Sequence, residues 1–344
     1  MTEINACNVN DAVNLGLNYL LEHGIEEDSR NGKVLVAPGP VMTIYSNPKE
    51  HVLFSPTRDA NPFFHLMEAL WMLNGDNDLA FPMMFNKRFK EYSDDGSRIW
   101  GAYGWRWRKF FGTDQISRIC AELSDNKKSR RCVLSMWNGM PNNHDMWEGQ
   151  DDLFVATNGG RDVPCNTHAY FDVRGGFLNM TVCNRSNDAI WGAYGANAVH
   201  FSILQEYMAE KIGVTVGLYR QFSNNFHAYL DVYSREKLAE IAAEGHKYDH
   251  YSKVFDTVPT IPLGANNMYW DSDLRSFIAD RKVQWESKNF FSQVAGPMYD
   301  AWREHKAGGT EDALIHIRSM PFCDWRIACE AWLLRRSKGA DNAA

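Results

Sequence analysis

The chain is predicted to fold as a single α+β domain, and three observations carry that prediction. Segments with helical spacing of apolar residues, at 10–23, 63–74 and 197–211, are interleaved with segments of strand-like alternation at 169–173, 177–182 and 218–222. No internal repeat, low-complexity tract or linker divides the 344 residues, a length that one domain of this class can reach. Hydrophobic residues make up 44% and aromatic residues 13%, with 12 tryptophans. That supports a sizeable core with aromatic clefts and excludes a disordered chain.

Composition removes several functions. No apolar run approaches the ~20 residues of a membrane helix, and the opening MTEINACNVND has neither a basic start nor an apolar segment, so a cytoplasmic location is expected. The seven cysteines form no CxxC pair, which makes reduced thiols the default and leaves no zinc motif. No metal is expected. A net charge of −7 argues against direct nucleic-acid binding, which normally uses a basic face. A small anionic substrate needs only a local group of arginines.

In order, 10–23 reads as a helix with Val13, Leu17, Leu20 and Leu21 on one side. EEDSRNGKVLV is then a polar turn entering a strand, and it leaves Arg30 free to reach across a cleft. The stretch 63–74 is a strongly apolar helix closed by Gly75, with one acid, Glu68, between Leu66, Met67, Leu70, Trp71 and Leu73. An acid inside such a helix is partly desolvated, a candidate proton relay. RIWGAYGWRWRKFF at 98–111 is expected to wall a cleft for a stacked heteroaromatic ligand. After a helix at 116–123, NKKSRRCVLSMW runs from a basic turn into a strand and makes Arg130 and Arg131 a potential phosphate site.

Residues 138–162 show no period and are expected to be a loop insertion. Arg174-Gly175-Gly176 separates two alternating segments as a hairpin. An amphipathic helix is expected over 197–211, with Val199, Ile203, Tyr207 and Met208 on one face and Gly213 closing it. In NNFHAYLDVY, His227 and Tyr229 point the same way if the backbone is extended. A helix at 233–245 is followed by alternating short strands and helices (273–278, 290–306, 312–318, 323–335), and 337–344 is expected to fray.

The stretch 163–213 carries the most chemistry. Cys165 follows a proline in a polar setting, in the same predicted hairpin as Arg185, and nearby arginines would stabilise its thiolate. His168 does not suit a Cys-His pair, because three residues of extended chain put it on the opposite face.

The ordered set EALWMLNG, YGWRW, SRR, PC, RSND, GANAVHFS and HAY resembles the thymidylate synthase superfamily from about residue 29 to 233. YGW, C-N-T and RSND are closest to the phage-type deoxynucleotide hydroxymethylases. The resemblance implies a thymidylate synthase-like fold, a mixed β-sheet with flanking helices, paired through the sheet as a homodimer. It implies a pyrimidine deoxynucleoside monophosphate and 5,10-methylenetetrahydrofolate as substrates, with phage DNA hypermodification as the setting.

Carried over by position, Cys165 would add to C6 of the base. Arg30, Arg185 and Ser186 would hold the phosphate with Arg130 and Arg131 donated across the dimer. His227 and Tyr229 would bind the sugar, Glu68 would organise water and protons, and Tyr103 would assist proton removal at C5. Asn197 would read the base edge, and Asp188 and Trp71 would meet the folate.

This sequence departs from the synthases in having Asn166 after the cysteine and GAYGAN one residue longer than GxPFN. It also ends in ADNAA where they have an apolar tail. A site without that dry lid is expected to hydrate the shared intermediate to a hydroxymethyl group, whereas hydride transfer, as in thymidylate synthase or a dCMP methyltransferase, is the alternative. An Asn at 197 favours dUMP, with dCMP next, since an amide can rotate to suit either base. A non-catalytic nucleotide- or nucleic-acid-binding homologue would have no need of Cys165, Glu68 and Asn197 together.

Overall fold

Alternating burial along the strands builds a sheet with one covered face. The computed structural model describes residues 1–140, 151–252, 257–280 and 289–341. Its strands are β1 (Thr2–Ala6), β2 (Ile25–Ser29), β3 (Gly32–Val36), β4 (Val41–Tyr45), β5 (Val133–Ser135), β6 (Asn166–Arg174), β7 (Phe177–Asn184), β8 (Asn187–Asp188), β9 (Thr215–Ser223) and β10 (Phe226–Tyr229). Among the described residues, six strands form a mixed sheet in the order β1-β4-β9-β7-β6-β5, and four form a second sheet in the order β2-β3-β10-β8. The β7–β9 and β1–β4 pairs are parallel, while β4–β9, β6–β7 and β5–β6 are antiparallel.

The helices are α1 (Val9–His23), α2 (Pro62–Leu73), α3 (Ala80–Phe85), α4 (Tyr103–Trp105), α5 (Gln115–Asp125), α6 (Asp152–Thr157), α7 (Asn197–Ile212), α8 (Arg235–Lys247), α9 (Trp270–Asp280), α10 (Gly296–Lys306), α11 (Thr310–Ser319) and α12 (Asp324–Asp341). α2 starts where expected for physical reasons: Asn61 Oδ1 accepts from Phe64 N–H at 3.1 Å and Pro62 occupies the first turn. It ends at Gly75, whose φ of 73° needs no Cβ. α7 packs on the inner face of β7 and β9 and beside α2. Gly104 lets α4 approach α2, since a Cβ there would lie 2.0 Å from the Met72 carbonyl.

Several expectations need correction. The segment before Arg30 is a fully exposed strand, β2, so Arg30 sits on the turn of a β2–β3 hairpin. α7 is buried on nearly every side, because its polar residues His200, Ser202, Gln205 and Glu206 face protein. The 138–162 stretch contains α6, tied down by the buried Arg106–Asp152 pair at 2.5 Å, while 141–150 lies outside the described residues. Arg106 and Trp107 are core residues rather than a cleft wall. Beyond residue 247 the described elements are all helical. Residues 337–341 continue α12, whose Arg335 and Arg336 hold Asp59 at 2.9 and 2.8 Å.

Candidate functional site

Cys165 stands immediately before β6, and the β6–β7 pairing of Asn166 with Asn184 carries Arg185 back to it. Arg185 is fixed at both ends: its N–H donates to the Cys165 carbonyl at 2.9 Å and its Nε to the Pro164 carbonyl at 3.0 Å. Nη2 then lies 3.8 Å from Cys165 Sγ, and the guanidinium lies 5.7 Å from the Trp137 ring centroid. Burial pushes the Cys165 thiol up from its ordinary value, and the Arg185 and Arg30 charges offset only part of that. The expectation of a stabilised thiolate is corrected to this extent: the arginines act in the expected direction, but desolvation outweighs them. The Tyr103 phenol lies beside the Cys165 backbone, and burial and the neighbouring thiol hold its pKa above the ordinary value.

Behind this pair lie the acid and the amides. Glu68 is 9% exposed, and its Oε2 is 3.1 Å from His200 Nε2, close enough for an ion pair but not aligned as a hydrogen bond. Among the described residues, Glu68 Oε2, Asn166 Oδ1 and both His200 ring nitrogens have no hydrogen-bonding partner. Asn166 Nδ2 donates to Asn197 Oδ1 at 3.3 Å, and Asn197 Nδ2 donates to Asn187 Oδ1 at 3.0 Å. The GAYGAN segment forms a wide helical turn over Ala189–Ala196, which sends the Tyr194 hydroxyl to Thr43 Oγ1 at 3.2 Å.

On the open side, β8 and β10 pair in parallel and set Asp188 beside His227. Burial raises the Asp188 carboxyl to about 6, and its Oδ1 accepts from Ile190 and Trp191 N–H. Burial lowers the pKa of His227, whose Nδ1 meets Asn225 Oδ1 at 2.7 Å. The His227 and Tyr229 rings are 5.1 Å apart, as the extended backbone predicts, and Asn31, next to Arg30, donates to Tyr229 OH at 3.5 Å. Ser186 is half-buried on the turn between Arg185 and β8.

Two groups lie elsewhere. Arg130 and Arg131 are exposed and line a concavity of about 560 Å³ with Glu122, Asn126, Lys128 and Ser129. The adjoining Cys132 carbonyl bonds Phe171, five residues along β6 from Asn166, about 17 Å of extended chain. Trp71, expected at the folate, is 2% exposed in the core, with its indole N–H directed at Asp78 Oδ2 at 3.4 Å. Reasoning from sequence missed His200, Asn187 and Trp137. His200 was the most accessible of these, because it lies one turn after Asn197 on the same helix.

A thiol beside an arginine, with an acid, a phenol and an amide grouped around it on a mixed sheet, is the equipment of covalent catalysis on an anionic substrate. The thymidylate synthase family model matches residues 15–254, and the chain belongs to that family. A deoxyuridylate hydroxymethyltransferase of Pseudomonas phage M6 is 42% identical over 98% of this chain and 95% of its own length. The enzyme of the same name from Bacillus phage SP01 is 33% identical over 61% of this chain and 54% of its own length. A thymidylate synthase of Coxiella burnetii is 25% identical over 62% of this chain. Among the described residues no group of His, Cys, Asp or Glu could hold a metal, and no helix is long and apolar enough to cross a membrane.

Proposed function

We propose that this chain hydroxymethylates C5 of deoxyuridylate with water and 5,10-methylenetetrahydrofolate. The observation that carries the reading is the convergence of Cys165, Arg185, Tyr103, Glu68 and Asn197 in a chain 42% identical to the M6 enzyme over 98% of its length.

Cys165 Sγ adds to C6, and the electron pair moves through C5 to O4, making C5 nucleophilic. The folate supplies a one-carbon unit at the methylene level, and C5 bonds to that carbon. With the Tyr103 phenol assisting, the C5 proton passes to water, and the freed electron pair breaks the bond between the methylene and the folate nitrogen, so that tetrahydrofolate leaves and an exocyclic methylene remains. Water then adds to the exocyclic methylene, Glu68 accepts the proton released, and loss of Sγ from C6 restores the C5–C6 double bond. The unused hydrogen-bonding capacity of Glu68 Oε2, Asn166 Oδ1 and His200 suits such a water.

Arg30, Arg185 and Ser186 hold the phosphate, His227 and Tyr229 the sugar, and Asn197 the base edge. Asp188 meets the pterin beside the 41%-exposed Trp191, an acid and an indole that fit its N–H groups and flat ring.

The distance of Arg130 and Arg131 from Cys165 along β6 supports their donation from a second subunit. Two cross-strand rows favour the sheet as the interface: Met42-Phe222-Cys183-His168 and Ile44-Arg220-Thr181-Tyr170 are half-buried or exposed in one chain, and their pairing puts them on one face. The test is to supply dUMP and methylenetetrahydrofolate and follow dihydrofolate absorbance with the product. Hydroxymethyl product without dihydrofolate is expected, and a stoichiometric rise would mean methylation instead. Cys165→Ser should lose turnover and keep nucleotide binding.

A further inference from the structure

The choice between uracil and cytosine rests on which way the Asn197 amide points, and a chain of buried amides fixes that direction. Gln221 is 1% exposed, and its Nε2 donates to the Ala193 carbonyl at 3.2 Å and to Tyr219 OH at 2.9 Å. A carbonyl can only accept, so the Gln221 amide has one permitted orientation. Its Oε1 therefore faces Asn187 and accepts from Asn187 Nδ2. Asn187 Oδ1 must then accept from Asn197 Nδ2 at 3.0 Å, and Asn197 Oδ1 accepts from Asn166 Nδ2 at 3.3 Å. Asn166, Asn187 and Asn197 are 0, 2 and 6% exposed.

Reversing any amide would set oxygen against oxygen among buried side chains, where an unmade hydrogen bond is costly. Ser223 Oγ, 2.9 Å from Asn187 Nδ2, can donate or accept and so does not set the polarity. Gly192 keeps the relay accessible: a Cβ there would lie 2.7 Å from Asn187 Oδ1 and 3.5 Å from Asn197 Nδ2.

With one N–H given to Asn187 and one lone pair used by Asn166, Asn197 retains one donor and one acceptor. Uracil presents N3–H and O4, whereas cytosine presents N3 and an amino group, the same two functions in reversed positions. An amide free to turn serves both bases; one that is locked serves one. We infer that Gln221, Asn187 and Asn166 form a polarity relay, anchored on the Ala193 carbonyl, that holds Asn197 in the orientation for uracil and makes the enzyme reject dCMP. This rests on the proposed role of Asn197. The relay residues are positioning residues that act through it.

The experiment is competitive release of tritium from C5 of dUMP and dCMP, with calorimetric binding of each nucleotide as a readout independent of turnover. Gln221→Leu and Asn187→Ala remove the anchor, and the dUMP preference in kcat/KM and in Kd should fall roughly ten- to a hundredfold. Gln221→Glu places a charge in the core but still offers Asn187 only acceptors, so the preference should survive; Ser223→Ala should also keep it. A purely structural role predicts the reverse order, with Gln221→Glu the most damaging to discrimination. Folding of each variant is checked by circular dichroism; if Gln221→Leu does not fold, Asn187→Ala and Gln221→Glu carry the test. Retention of the wild-type ratio by folded Gln221→Leu and Asn187→Ala overturns the relay, as does an equal loss in Ser223→Ala. A wild type that takes both nucleotides equally overturns the relay alone, and one that takes neither overturns the proposed function with it.

Discussion

Removing the Asp152 carboxylate should destabilise the protein far more than an ordinary surface change, because Arg106 would be left charged in the core. Arg106 is fully buried. Its Nε donates to the Trp100 carbonyl at 2.9 Å, Nη1 to the Met136 carbonyl at 2.8 Å, and Nη1 and Nη2 to the two Asp152 oxygens at 2.5 and 2.8 Å. Asp152 Oδ2 also accepts from Asn138 N–H at 2.7 Å. Asp152→Ala cuts two charge-assisted bonds, strands that N–H and leaves the guanidinium with neutral acceptors, at a cost of about 3–5 kcal/mol.

Asp152→Asn keeps one acceptor, and the cost should be about 1–3 kcal/mol. The double variant Arg106→Met, Asp152→Leu removes both charges and should lose less than the sum of its single changes. Urea unfolding at pH 7, at one protein concentration and followed by circular dichroism, measures all five variants, the two single changes Arg106→Met and Asp152→Leu included. A loss below ~1 kcal/mol for Asp152→Ala, or additive single changes, would refute the reasoning. Because Arg106 also holds Trp100, and Asp162 holds the N–H groups of Trp100 and Gly101, Asp152→Ala should lower kcat through Tyr103.

Three further outcomes are expected. Mixing Cys165→Ser chains with Arg130→Ala, Arg131→Ala chains, each inactive alone, should restore about a quarter of the wild-type activity per chain if the arginines come from the partner subunit; no recovery after reassociation would refute the shared site. Glu68→Gln should slow product formation by roughly 10²–10⁴-fold while the Cys165 adduct with the nucleotide still forms, as mass spectrometry of trapped enzyme would report. Burial raises Asp324 to about 7 against its ordinary 3.8, despite the Tyr251 hydroxyl donating to it at 2.8 Å. The folded chain therefore binds more protons than the unfolded one between those values, and stability falls as pH rises through that window. Asp324→Asn should flatten the fall and gain most above pH 7, and a pH-independent difference in urea midpoint would count against this.

What the sequence disclosed followed local rules. The Arg174-Gly175-Gly176 signal marked a hairpin whose turn uses φ of 57° and 84° at the two glycines, and closing that hairpin necessarily returned Arg185 to Cys165. The strongly apolar α2 and its glycine stop were equally local. α7, expected to be amphipathic, is buried nearly all round because its polar side chains find partners inside the protein: Gln205 spends its amide on the Leu178 and Gly217 carbonyls, and His200 meets Glu68. β2 escaped notice because all five of its residues are exposed and it has no apolar alternation. The amide relay was out of reach for another reason: its members come from β6, β8, β9 and α7, and only the register of the folded sheets brings them together.

The wide turn ahead of α7 ties the length of one loop to a residue on a distant helix. A Cβ on Gly16 of α1 would lie 2.0 Å from the Tyr194 hydroxyl, the same hydroxyl that Thr43 meets on β4. Gly16, Thr43 and Tyr194 therefore form one inheritable unit. A graft of GAYGAN into a shorter-looped relative would have to bring a glycine into that relative's first helix, or the new tyrosine would have nowhere to go.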